Sequence, residues 1–182
     1  LEKGGGKGDR ALRDLAMFSF GIDTLLRSSD VLAVRVCDIT DRMGEIRVEF
    51  PIRQIKTKTN VVVGLSAYTR EVLGRWIKAS HKRAEDYLWT CSQGTTMRKQ
   101  KLINKRHHSY LVKSWCRLGG VEGLADYSTH SLRRTRAAYI YKSTKDIEVV
   151  RHILGHRSLA ATAYYLGVDN AMALSVARQF EL

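Results

Sequence analysis

Six residues of this 182-residue chain carry side chains suited to handling a phosphate ester: Arg27, Lys56, His130, Arg133, His156 and Tyr165. A guanidinium fork makes paired hydrogen bonds to phosphate oxygens and keeps its charge near neutral pH, so Arg27 and Arg133 could hold one phosphate between them. An imidazole titrates close to neutrality and can take or return a proton. A phenol is an oxygen nucleophile once its proton is removed. A phosphodiester attacked by a tyrosine hydroxyl passes through a crowded state whose non-bridging oxygens gather negative charge. Fixed cationic donors aimed at that charge are worth about 3 kcal/mol or more apiece. Each residue also has an ordinary reading: Arg27 as a helix-end ion pair, Lys56 as a turn charge, His130 as a cap partner, Arg133 as a solvated side chain, and His156 and Tyr165 as half-buried packing.

Each of the six needs an element to hold it. Ile147, Val150, Ile153 and Leu154 repeat at helical spacing up to Gly155, a residue suited to a left-handed helix end, and Ser158 can cap the helix that follows. That corner sets His156 between two helices and Tyr164-Tyr165 two turns further on. Ser128 or Thr129 caps another helix, continuing through Ala137, Ala138 and Ile140, on which His130 and Arg133 are three apart and share a face near the positive end. Arg27 falls in a turn before a short helix, capped by Ser28 or Ser29, that carries Val31, Leu32 and Val34. Residues 45–50 alternate apolar and charged, which predicts a half-buried strand. Residues 61–65 form its partner, and 54–60 make a basic turn bearing Lys56 and Lys58. Pro51 suits an edge or a bend.

The remaining elements supply bulk. Leu12, Leu15, Ala16 and Ser19 mark a helix from residue 9 to Gly21; Val72, Leu73, Trp76 and Ile77 mark one after the cap Ser66; Leu111, Trp115 and Leu118 mark one that ends at Gly119. A last capped helix is expected over 170–182. The fold class is therefore α+β, predominantly helical with a small antiparallel sheet, as one domain over 9–182 behind a flexible Gly-rich stretch at 1–8.

Charge narrows the partner. Lys and Arg number 31 against 18 Asp and Glu, a formal net charge of +13, which favours a polyanion, nucleic acid first. An anionic membrane would need a helix with a basic side and an aromatic-aliphatic side, and none is present. Arg98, Lys99 and Lys101 in the polar loop at 90–105, with Lys58, Arg134 and Arg136, are candidate phosphate contacts. Cys37, Cys91 and Cys116 are odd in number and widely spaced, which argues against a disulfide framework or zinc ribbon and for a reducing compartment. There is no transmembrane-length apolar run and no signal-peptide pattern, so a cytoplasmic protein is expected.

In order along the chain, these residues resemble the motifs of the tyrosine recombinase (phage integrase family) catalytic domain. Arg27 lies in Leu26-Arg27-Ser28-Ser29-Asp30, like the family's Arg-x-Ser-Glu box. Lys56 matches the lysine of its β-hairpin, His130-Ser131-Leu132-Arg133 its His-x-x-Arg box and Leu154-Gly155-His156 its Leu-Gly-His box, while Tyr165 follows His156 by nine residues. The resemblance covers nearly the whole chain. It implies site-specific strand cleavage and rejoining of double-stranded DNA through a 3′-phosphotyrosyl bond to Tyr165, with His156 a further phosphate donor, His130 assisting proton transfer and Lys56 protonating the departing 5′-hydroxyl. It also implies no cofactor and no metal, a homotetramer on the recombination site with a monomer possible without DNA, and association with the nucleoid. The family's separate N-terminal DNA-clamping domain is not matched. The 170–182 segment resembles the family's C-terminal segment that docks on a neighbouring protomer; folding back in cis is the alternative.

Two departures stand out. Asp30 replaces the usual Glu, and Arg134 with Arg136 make the stretch after the His-x-x-Arg box more basic. Two other functions share these residues: a type IB topoisomerase-like strand transferase and a non-catalytic basic DNA-binding module. The Leu-Gly-His box favours the recombinase over the first, and the presence of every catalytic position favours it over the second. The biological task, whether integration or excision of a mobile element, resolution or inversion, uses the same residues in each case.

Overall fold

The computed structural model describes residues 8–91, 102–123 and 127–167. The expected helix at 170–182, the Gly-rich residues 1–7 and the loop cations Arg98, Lys99 and Lys101 lie outside these. The described residues form eight helices and one two-stranded antiparallel sheet. This is the expected α+β, mainly helical class.

The first helix, α1 (Gly8–Thr24), runs past the stop expected at Gly21. Gly21 instead lies against Leu132, and the helix ends where Thr24 returns its hydroxyl to the Phe20 carbonyl at 2.7 Å and Leu25 takes a positive φ of 50°. Then come α2 (Ser28–Ala33) and α3 (Val36–Ile39), a single turn that the hydrophobic pattern is too short to reveal. The N-cap of α2 is Arg27 itself, with no side-chain cap, so neither Ser28 nor Ser29 has the capping role expected of them.

Strand β1 (Glu49–Arg53) pairs with β2 (Asn60–Gly64), Phe50 opposite Val63 and Ile52 opposite Val61. The strand expected at 45–50 thus begins four residues late. Residues 46 and 47 are spent folding back on α3, through an Ile46–Thr40 bridge and an Arg47 amide bonded to the Ile39 carbonyl at 2.9 Å. A two-stranded ribbon leaves each strand a free edge, which tolerates Pro51. Next are α4 (Ala67–Ala79), capped by Ser66, and α5 (Lys105–Leu118), capped by Asn104. The chain closes on α6 (Thr129–Thr144), capped by Ser128, α7 (Ile147–Leu154) and α8 (Leu159–Leu166), capped by Ser158.

Two apolar clusters hold these elements. The larger gathers Met17 and Phe20 of α1, Phe50 and Val63 of the sheet, Leu73 and Trp76 of α4, and Leu88 and Trp89. Each such side chain contributes roughly 1.5–3 kcal/mol on burial. The smaller joins Leu25, Ala137, Val150 and Leu154, with Tyr165 and Leu166 packed against them. This second cluster fastens α6, α7 and α8 to the end of α1, directly beneath the corner at Gly155.

Candidate active site

The two helix N-termini and the two turns that carry Arg27, Lys56, Arg133 and His156 open on one place. Arg27 precedes α2, half-buried, and Nη1 of its guanidinium donates to Oε1 of Gln54. Arg133 projects inward from the first turns of α6 and is 2% exposed; Nη2 donates to the Leu154 carbonyl at 2.6 Å, while Nε and Nη1 are buried with no partner among the described residues. Burial, and then the nearby charge of Arg27, push the Arg133 pKa down to about 10, opposed by Tyr165 and Asp30. The guanidinium is still protonated at neutral pH.

His130 sits one turn before Arg133 with an exposed face, its amide bonded to the Ser128 hydroxyl. Its pKa is lowered, first by the part of the ring that is desolvated and then by Arg133, Arg27 and Lys56. Four of the six candidates therefore share one electrostatic neighbourhood. Lys56 is exposed at the tip of the β1–β2 turn, and Lys58 beside it has a φ of 57°. Asp30 ties this turn to α2: 1% exposed, it accepts the Ile55 amide on Oδ1 at 2.8 Å.

The corner is built as its sequence predicts. Gly155 ends α7 with φ 62° and ψ 38°, and the His156 amide returns to the Arg151 carbonyl at 3.0 Å. Arg151 also grips the corner from the side, donating Nη1 to the His156 carbonyl at 3.0 Å while Nε and Nη2 engage Glu148. The His156 ring places Nδ1 3.2 Å from the hydroxyl of the fully buried Thr162 and stands at 88° to the Tyr165 ring, centroids 5.5 Å apart. Burial, then Arg133 and Arg27, depress the His156 pKa to about 4, so the ring is neutral at pH 7.

The two tyrosines separate cleanly. Tyr164 is 89% exposed. Tyr165 is half-buried, and its hydroxyl lies within reach of Arg133 but outside ordinary hydrogen-bond geometry, with no partner among the described residues. Burial raises its pKa, while Arg133, Arg134 and Arg27 pull the other way. Two further basic candidates lie on α6. Arg134 is exposed, and half-buried Arg136 has its guanidinium 5.7 Å over the Tyr139 ring.

Residues 6–172 match the model of the phage integrase family. The chain belongs to that family. Among its relatives are a probable integrase/recombinase, YoeC, of Bacillus subtilis, 27% identical over 157 residues that cover 86% of this chain and 78% of that protein, and tyrosine recombinase XerC of Vibrio cholerae, 25% identical over 87% of this chain and 48% of its own. The chain thus spans about half the length of the XerC relatives. The fold is that of solved tyrosine recombinases. A crystal structure of XerH site-specific recombinase bound to a palindromic difH substrate, a post-cleavage complex, superposes with a TM-score of 0.72 at 21% identity, over 94% of this chain and 47% of the other. A lambda integrase dimer bound to a COC′ core site superposes with a TM-score of 0.59 at 16% identity, over 87% and 56%.

Sequence reasoning missed two groups in this phage-integrase-family site, Gln54 and Thr162. Neither type is chemically reactive, and only their buried contacts with Arg27 and His156 expose them.

Proposed function

We propose that the chain is the strand-transferring part of a site-specific DNA recombinase, with residues 9–182 acting as one catalytic unit. The observation that carries this reading is Arg133: a buried guanidinium with two nitrogens, Nε and Nη1, unpartnered among the described residues, beside the hydroxyl of Tyr165. Buried donors left unpaired cost about 1–3 kcal/mol or more, a cost that an anionic ligand at that spot removes. A phosphodiester fits, because its oxygens accept from the forks of Arg27 and Arg133 together.

In the proposed reaction the Tyr165 oxygen attacks phosphorus. The O–P bond to tyrosine forms as the P–O bond to the 5′-oxygen breaks, leaving a 3′-phosphotyrosyl link. His130 takes the phenolic proton and Lys56 supplies one to the leaving 5′-oxygen. Arg27, Arg133 and His156 hold the equatorial charge. Attack by a 5′-hydroxyl reverses these steps and rejoins the strand. The phenol, being raised by burial, needs both the base and the cations; Arg133 and Arg27 lower its pKa and act on His130 as well. A homotetramer on a double-stranded recombination site, acting at the nucleoid inside the cell, goes with this reading; XerH and lambda integrase, which share the fold, are solved on DNA. Among the described residues no helix is long and apolar enough to cross a membrane.

The test is covalent capture. A randomised pool of nicked duplexes is incubated with the chain, and DNA-linked protein is recovered and sequenced. Tyr165-linked duplexes sharing a sequence support a recombinase. Adducts without shared sequence, together with relaxation of supercoils, point to the topoisomerase-like activity, and the absence of any adduct overturns strand transfer.

A further inference from the structure

Gln54 joins three parts of the site that lie far apart in the chain. Its side chain is 1% exposed. Oε1 accepts from Nη1 of Arg27 and, at 2.8 Å, from Oγ1 of Thr57, while Nε2 donates to the Leu154 carbonyl at 3.2 Å. That carbonyl also receives Nη2 of Arg133 at 2.6 Å. The backbone of Gln54 closes the Lys56 turn, its amide bonded to the Thr59 carbonyl and its carbonyl to the Lys58 amide, both at 2.9 Å. The partners fix which way the amide faces, since a guanidinium only donates and a carbonyl only accepts.

We infer that Gln54 is a positioning residue: a neutral acceptor that aims Arg27 at the phosphate and locks the Lys56 turn to the wall formed by Arg133 and the Leu154–His156 corner, without cancelling the charge of Arg27. The inference rests on the strand-transfer reading above. A carboxylate here would bind Arg27 more strongly but neutralise it, and would turn a second oxygen against the Leu154 carbonyl. An apolar side chain of the same length would strip a partner from Arg27, Thr57 and Leu154 at once. Gly155 is shaped to the same contact. A Cβ there would stand 3.0 and 3.2 Å from the Gln54 amide nitrogen and oxygen and 2.9 Å from Val61, so only glycine lets the corner close on this amide.

The test compares Gln54→Glu, Gln54→Met and Thr57→Val with the unaltered chain on a duplex captured as described above, reading the attachment rate at saturating DNA, the half-saturating concentration and the urea midpoint. At pH 8, Gln54→Glu is expected to attach about 100-fold more slowly with half-saturation changed less than about 2-fold. Its rate relative to the unaltered chain should recover as pH falls, because a protonated carboxyl again offers one acceptor and one donor. The groups that set where this happens are Arg27 before α2, Asp30 on the Ile55 amide, Lys56 and Lys58 on the turn, Arg133 on α6 and His156 beyond α7. Gln54→Met should show the same loss without recovery. An unchanged Gln54→Glu rate, or a loss independent of pH, overturns the inference. Where both variants fail to fold, Thr57→Val decides: a slower saturating rate supports Gln54 as positioning, and an unchanged one refutes it. An unaltered chain that attaches to no duplex counts against strand transfer itself. The Gln54 linkage is then read with inorganic phosphate as the probe, at the Arg27 side-chain nitrogen resonances. Weaker phosphate binding in Thr57→Val supports it, and equal binding refutes it.

Discussion

The ring of His156 meets the ring of Tyr165 edge to face, 88° between planes and 5.5 Å between centroids, while the neighbouring Tyr164 stands 89% exposed. The packing of Tyr165 comes from its ring, and its buried hydroxyl has no hydrogen-bond partner among the described residues. Tyr165→Phe keeps the ring, so its unfolding free energy from urea denaturation should match the unaltered chain to within about 0.5 kcal/mol. Covalent attachment to a nicked duplex, read on a denaturing gel, should vanish. Tyr164→Phe should attach normally; the opposite pattern would transfer the nucleophile to Tyr164.

In the proposed reaction Arg133 and Arg27 hold the phosphate as forks, so charge alone should not replace them. Lysine keeps the charge and loses the paired N–H geometry. Arg27→Lys is expected to slow attachment at saturating DNA by about 100-fold, the usual scale for loss of one transition-state donor. Arg133→Lys should do the same and also lower stability, because the Leu154 carbonyl loses its 2.6 Å partner in a buried setting. Single-turnover rates and denaturation curves separate the two effects, and a full-rate Arg133→Lys chain would rule out bidentate phosphate recognition.

Gly155→Ala tests the corner itself. A left-handed φ of 62° and a Cβ 2.9 Å from Val61 Cγ1 should cost about 1–3 kcal/mol of stability, seen as a lower urea midpoint. The same Cβ presses on Gln54, so the attachment rate should fall more than stability predicts.

Two histidines set an acid limit on the fold. Burial and then His107 hold His108 at about 4, its Nδ1 on the Ser28 hydroxyl at 2.9 Å; burial and then Arg133 and Arg27 hold His156 at about 4. An unfolded histidine titrates near 6.5, so below that pH the unfolded chain binds protons the folded chain refuses. Stability should be level above about pH 6.5 and fall as pH drops toward 4, with ring resonances of both histidines still neutral at pH 5. Stability that is flat from pH 7 to 4 would contradict these environments.

Strand cleavage should persist in excess chelator. Its charge stabilisation is assigned to Arg27, Arg133 and His156, and its proton transfers to His130 and Lys56. Loss of covalent attachment with EDTA, restored by a divalent cation, would replace this scheme with a metal-assisted one.

The sequence by itself determined the parts with local causes. Gly155 and Ser158 set the corner, Ser128 opens α6, and the three-residue spacing of His130 and Arg133 places both on one helix face. Cap chemistry and helical periodicity act within a few residues, so they can be read from the chain. The start of β1 was not legible, because residues 46 and 47 are claimed by α3 through contacts no alternation pattern records. Nor was the choice of solvent or interior for each cation: Arg133 is buried and Arg134 beside it exposed, a difference made by where α7 and α8 lie over α6. Only the tertiary structure assigned Gln54 its place, since an amide has no reactivity to notice and its three partners are 27, 3 and 100 residues away. Bonds across such separations exist only after the two apolar clusters have brought the helices and the hairpin together.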